Sequence, residues 1–188
     1  MTPPTLIVID VQRAFDDPSW GERNNPDAER NVARVIEAWR DRGAPLIHVR
    51  HESEDESEDE GLFAPGSESA EFKPEALPLA EEPVLTKNVN SAFIGTDLEE
   101  RLRADGARNV AIVGLTTDHC VSTTVRMAAN LGFDTWVLED ATATFARRTP
   151  DGEMIPAETM HRTALASLNE EFAEVLETDE ALARAFGG

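Results

Sequence analysis

The chain of 188 residues contains a single cysteine, Cys120. A lone thiol cannot close an internal disulfide, so redox stapling plays no part in the fold. A thiol sensor built on it would also lack a resolving partner in the chain. Lysine is almost as scarce. Of 17 basic residues only Lys73 and Lys87 are lysines; the rest are arginines. No apolar run is long enough to cross a bilayer. The opening MTPPTLIVID has neither the basic flank nor the long apolar stretch and cleavage site of a signal peptide, which predicts a cytoplasmic protein. Positive charge is short overall, with 37 acidic residues and a net charge of -20. Phosphate and anionic lipid would be repelled, so nucleic acid and membrane surfaces are excluded as partners. A dense acidic surface poor in lysine also suits a halophilic habit, because salt screens the self-repulsion, and this says little about activity. A lysine retained in such a composition is a candidate for chemistry.

What is present alternates. PTLIVIDVQ is a short β-branched run, read as a buried strand ending near Asp10. Residues Asp27 to Arg42 place Val32, Val35, Ile36 and Trp39 on one helical face, and Gly43 stops that helix. Strand patterns follow in APLIHVR, VLTK, NVAIVG, DTWVLE and FAEVLET. Helical patterns fall in GTDLEERLRADG, DHCVSTTVRMAANLG, PAETMHRTALASLN and DEALARAFGG. This order predicts an α/β fold of three α/β/α layers, a six-stranded parallel sheet doubly wound by helices. A single domain over 1–188 is expected, with an acidic loop inserted at about 51–82.

In an open α/β sheet, ligands bind beyond the carboxyl ends of the strands. Three reactive side chains fall there: Asp10 closes the first strand, Lys87 closes the third, and Cys120 follows the fourth at the start of a helix. Each also has a plain structural role open to it: a turn cap, a surface lysine, a small buried hydrophobe. Together they read as a base, an electrostatic stabiliser and a nucleophile. The helix start and a nearby ammonium predict a thiol pKa below the ordinary value. His119 neighbours Cys120, but successive helix residues point in different directions, so it is not expected to be the base. His161 shares a helix face with Leu165 and Leu168 and is read as packing, as is His48 on its strand; Asp140 is read as closing a turn. Phe15, Trp20, Asn90, Phe93 and Thr117 follow strand ends and are expected to line a small pocket.

The segments LIVIDVQRAF, VLTKNVNSAF and GLTTDHCVSTTVRMAANLGF resemble the signature segments of the isochorismatase-like cysteine hydrolases, in order and over nearly the whole chain. The resemblance implies a catalytic triad of Asp10, Lys87 and Cys120, with attack of the thiolate on an amide or ureido carbonyl and hydrolysis of a thioester. It also implies a non-proline cis peptide before Thr116, which aims the Thr116 and Cys120 N–H groups at an oxyanion. Sheet order 3-2-1-4-5-6 and a homodimer or homotetramer are implied as well. Isochorismatases proper lack the cysteine, so Cys120 favours amide-type C–N hydrolysis of a small molecule. Nicotinamidases carry an Asp-x-His metal motif after the second strand. Here His51 and Ser53 occupy those places, and the acidic run from His51 to Glu60 lacks the glycine and ligand spacing of a calcium loop. No metal and no cofactor are therefore expected. The alternatives on the same fold are a non-catalytic binding or interaction module and a thiol redox sensor; neither needs Asp10 and Lys87 together.

Overall fold

The computed structural model of the protein describes residues 2–53 and 61–187. Six parallel strands form the central sheet: β1 (Thr5–Ile9), β2 (Leu46–His51), β3 (Val84–Lys87), β4 (Asn109–Leu115), β5 (Asp134–Ala143) and, after a short hairpin, β8 (Glu174–Leu176). Their order is β3-β2-β1-β4-β5-β8. The hairpin, β6 (Arg147–Arg148) with β7 (Met154–Ile155), is antiparallel. Helices α1 (Ala28–Asp41), α2 (Leu98–Ala104), α3 (Ser122–Asn130), α4 (Ala157–Leu168) and α5 (Thr178–Phe186) cover the sheet. Among the described residues no helix is long and apolar enough to cross a membrane.

The strand period of two explains the layering. Leu6 and Val8 face one way, into a cluster with Val32, Val35, Ile36 and Trp39 of α1 and Ala181 of α5. Ile7 and Ile9 face the other way, into a cluster with Leu98 and Leu102 of α2, Val125 of α3 and Leu165 of α4. A strand buried on both faces reads as an unbroken apolar run, which is how LIVI reads. The helical face expected for α1 is the buried one, and Trp39 Nε1 donates to Pro4 O at 2.9 Å.

Three features differ from the sequence reading. Strand β5 runs on to Ala143 instead of ending at Glu139. It bulges between Val137, opposite Ile112, and Thr142, opposite Gly114. Asp140, in this bulge, accepts from the Thr178 N–H at 2.8 Å and its hydroxyl at 2.7 Å, tying β5 to α5. The β6–β7 hairpin had no periodic signal. The described part of the acidic loop is also paired with the rest of the fold: Arg13 N–H donates to Glu71 O (2.9 Å), Ala14 N–H to Ser69 O (2.7 Å) and Lys73 N–H to Val11 O (2.9 Å). These bonds lay the loop antiparallel against the segment after β1. Glu54–Glu60, the middle of the acidic run, lies outside the described residues.

Lys73 anchors this loop. Its side chain is buried, with Nζ 2.6 Å from Asp16 Oδ1 and 2.7 Å from Glu29 Oε1, and Arg23 grips Glu29 from the other side at 2.6 Å. Burial pushes the Glu29 carboxyl up, but Arg23 and Lys73 outweigh it and hold the pKa at about 2, below the ordinary 4.5. A carboxylate depressed in the folded state contributes fully above its unfolded pKa and loses that contribution as the pH falls through the folded one. Glu29→Gln should therefore cost about 3 kcal/mol in urea unfolding near neutral pH, because it leaves two cations short of a partner. The gap to wild type should narrow between about pH 4.5 and about pH 2.

Candidate active site

Each of the three expected groups is set by a strand end. Asp10 follows β1 with its backbone in the left-handed region, φ 50°. Its N–H donates to Val49 O at 2.9 Å and its carbonyl accepts from Gln12 N–H at 2.8 Å, so the chain turns sharply and directs the carboxylate across the strand ends. Gly114 makes room beside it: φ is 121°, and a Cβ there would lie 1.9 Å from the Ile9 carbonyl oxygen. Lys87 ends β3 directly opposite His51, the last residue of β2. Cys120 lies in a single π-helical turn, Thr117–Val121, that follows a cis peptide between Leu115 and Thr116.

The three groups converge. Lys87 Nζ lies 2.6 Å from Asp10 Oδ2 and 3.3 Å from Cys120 Sγ. It also lies 3.3 Å from His51 Nδ1, and Asn90 Nδ2 is 3.6 Å from the sulfur. Asp10 is fully buried and Lys87 is 1% exposed. Burial pulls the Lys87 pKa down, but Asp10 and Cys120 together raise it, so the amine stays an ammonium. The thiol behaves contrary to expectation. Burial, and then the Asp10 charge, push Cys120 up to about 12, against the opposing pull of Lys87 and Asn90. A thiolate would add a second negative charge beside a buried carboxylate, so the surroundings favour the neutral thiol.

A cleft of about 230 Å³ opens onto the sulfur. Phe15 and Trp20 line it as expected, joined by Phe63 from the acidic loop; the three rings pack with centroids 5.2 to 6.5 Å apart. Asn90 and Thr116 also line it. Two expected pocket residues do not. Phe93 turns back to stack on Phe133 against the core, with centroids 6.2 Å apart. Thr117 is fully buried and its hydroxyl meets His161 Nδ1 at 2.9 Å, so it braces the nucleophile turn from below. His161 is thus packed as expected, and His48 is buried with Nε2 2.9 Å from Glu82 Oε2. His119 sits at the cleft rim, 3.5 Å from Asp118 and 3.5 Å from Arg147. Asp118 in turn accepts from Arg147 Nε at 3.0 Å and from the Thr144 hydroxyl, which ties the turn carrying Cys120 to the strand end of β5.

The sequence reading missed His51, Phe63 and Asn88 as lining residues. His51 obeys the same strand-end rule that found Lys87. Phe63 carries no periodic signal, because only the tertiary fold brings its loop to the cleft. A metal at the place nicotinamidases use does not fit these residues. His51 Nδ1 faces an ammonium, and among the described residues no three side chains of His, Cys, Asp or Glu are placed to hold a metal ion.

The thiol's electrostatics can be read by iodoacetamide alkylation against pH. Asp10→Asn removes the opposing negative charge and should move the titration of Cys120 to lower pH, giving faster alkylation near pH 9. Lys87→Met should move it upward. An Asp10→Asn profile identical to wild type would show that the carboxylate does not govern the thiol.

Comparison with known proteins agrees with this architecture. The model of the isochorismatase domain matches residues 4–180. The isochorismatase family protein YrdC of Bacillus subtilis is 48% identical, over 93% of this chain and 92% of its own length. Nicotinamidase 3 of Arabidopsis thaliana is 28% identical, over 93% of this chain and 85% of its own length. The crystal structure of an isochorismatase-family protein from Chromobacterium violaceum superposes with a TM-score of 0.94 at 42% identity, covering 99% of this chain and 95% of that one. With its parallel sheet and nearly its whole length matched in this way, the chain belongs to the isochorismatase family of hydrolases.

Proposed function

We propose that the protein is a cysteine hydrolase that cleaves a C–N bond of a small amide, carbamoyl or ureido compound through a thioester. The observation that carries this reading is the meeting of Asp10, Lys87 and Cys120 within 3.3 Å of one ammonium nitrogen at the floor of a cleft. A carboxylate that disfavours the thiolate at rest is, for the same reason, a base placed to take the thiol proton when a substrate arrives.

The reaction follows from that arrangement. With the carbonyl carbon over Sγ, Asp10 accepts the thiol proton as sulfur attacks. The ammonium of Lys87 offsets the negative charge wherever it resides, on carboxylate or on sulfur. The carbonyl oxygen becomes an oxyanion, which the Thr116 and Cys120 N–H groups receive. As the C–N bond breaks, the nitrogen takes the proton back from Asp10 and leaves as ammonia or an amine. Water then attacks the thioester, giving its proton to Asp10; the acid departs and the proton returns to sulfur. The net reaction consumes one water per C–N bond, and the enzyme is unchanged.

The cleft also favours a class of acyl group. Its volume suits a small molecule, and Phe15, Trp20 and Phe63 offer flat apolar surface. The Lys87 ammonium, behind Asp10 and Cys120 of the cleft lining, is already engaged by Asp10, and the whole chain is strongly anionic. A substrate carboxylate would therefore meet Asp10 without a counter-ion, so an uncharged acyl group is the better fit. The amidase activity named for the Arabidopsis relative is consistent with this class.

Screening neutral amides and ureas for ammonia release should find turnover in wild type. Cys120→Ala should lose at least about a thousandfold of it while its unfolding curve stays close to wild type. Acid-quenched wild type should gain the acyl mass on Cys120. Ammonia release that survives in Cys120→Ala would overturn the nucleophile assignment.

A further inference from the structure

The ammonium of Lys87 has three N–H donors and three neighbours: Asp10 Oδ2 at 2.6 Å, Cys120 Sγ at 3.3 Å and His51 Nδ1 at 3.3 Å. The first two belong to the triad reading, and the third has had no role. An ammonium can only donate. Facing it, Nδ1 must present its lone pair, which places the ring proton of neutral His51 on Nε2.

The surroundings of His51 are built to keep that contact. Strand register sets it directly opposite Lys87. Its backbone is clamped on both sides by one buried side chain: the His51 N–H donates to Gln12 Oε1 at 2.8 Å, and Gln12 Nε2 donates to the His51 carbonyl at 2.9 Å. The same Gln12 Nε2 donates to Ala70 O at 2.8 Å, so the clamp joins β1, β2 and the acidic loop. The ring stands edge-on to Phe63, with an interplanar angle of 87° and centroids 5.2 Å apart, which fixes its plane.

We propose that His51 is a positioning residue of the active site, whose Nδ1 accepts the third N–H of the Lys87 ammonium and so holds that ammonium between Asp10 and Cys120. The proposal rests on the triad reading above. Two physical arguments support it. A buried ammonium with an unsatisfied donor is costly to keep charged, so the third acceptor helps retain the charge that the thiolate needs. The Asp10 carboxylate also attracts Nζ more strongly than sulfur does, and an acceptor elsewhere around the nitrogen restrains it from following the carboxylate alone.

The test uses the full chain and the pH dependence of iodoacetamide alkylation of Cys120 in wild type, Lys87→Met, His51→Leu and His51→Asn. Leucine keeps the bulk without an acceptor, whereas asparagine offers Oδ1 near the place of Nδ1. Rates are compared at one pH near 9, and His51→Leu is read against His51→Asn, which has the same branched shape, because a smaller side chain also opens the cleft. His51→Leu should move the titration in the same direction as Lys87→Met, by about half a pH unit or more, equivalent to about threefold less thiolate at a given pH. His51→Asn should return it to within about twofold. With a substrate in hand, kcat should fall in His51→Leu and recover in His51→Asn, with KM little changed. His51→Ala is a second variant without an acceptor, so the outcome does not depend on the folding of one protein. A wild-type profile in both His51→Leu and His51→Ala, beside a shifted Lys87→Met, overturns the role of His51 and leaves the triad standing. An unshifted Lys87→Met overturns the triad reading and this proposal with it.

Discussion

The structure is organised around an ion pair buried away from bulk solvent. Asp10 and Lys87 meet at 2.6 Å with both side chains fully buried. Taking each charge out of water costs several kcal/mol, and only close, well-directed contact offsets that. The two residues do not belong to neighbouring strands; β2 lies between them. Their distance is therefore set by two successive registers, Ile9 with Val49 and His51 with Lys87. A slip of one residue in either would turn a charge into the apolar layer on the wrong face. The sheet register and the pairing of the site are one constraint, and the two-sided apolar packing of β1 is what enforces it.

That constraint also accounts for the state of the thiol. With carboxylate and ammonium already paired, the sulfur sits beside a neutral couple from which burial has removed solvent. Ionising it alone is unfavourable, but moving its proton to Asp10 leaves the total charge of the three groups unchanged. Under the proposed mechanism the site would convert a poor nucleophile internally, without importing or exporting a proton. A thiol held protonated in this way reacts slowly with oxidants and alkylating reagents near neutral pH, although the cleft reaches it.

Much of this was legible in the sequence because strand ends are legible. Asp10, Lys87 and Cys120 are reactive residues that close or follow short apolar runs, and the parallel topology brings such positions to one edge. Orientation was less legible. Phe93 and Thr117 also follow strand ends, yet one packs on Phe133 and the other on His161, since position along the chain does not say which way a loop side chain turns. The thiol's direction of shift differs from the expectation because a helix start and a lysine are visible in the sequence, while burial beside Asp10 is not. The cis peptide was implied only by family resemblance; nothing in Leu115-Thr116 announces it. The ladder between residues 69–73 and the segment after β1 lacks any alternating pattern, as expected of pairing imposed by tertiary contacts.

The scarcity of lysine has a consequence beyond the site. The two lysines of the chain divide between chemistry and architecture: Lys87 is 1% exposed beside Cys120, and Lys73 is 4% exposed between Asp16 and Glu29. An ammonium buried in an ion pair is protonated and sterically shielded, so it is a poor target for acylating reagents. Amine-directed chemistry on the folded protein therefore finds neither lysine side chain readily. A lysine side chain that did react would report that the fold had opened.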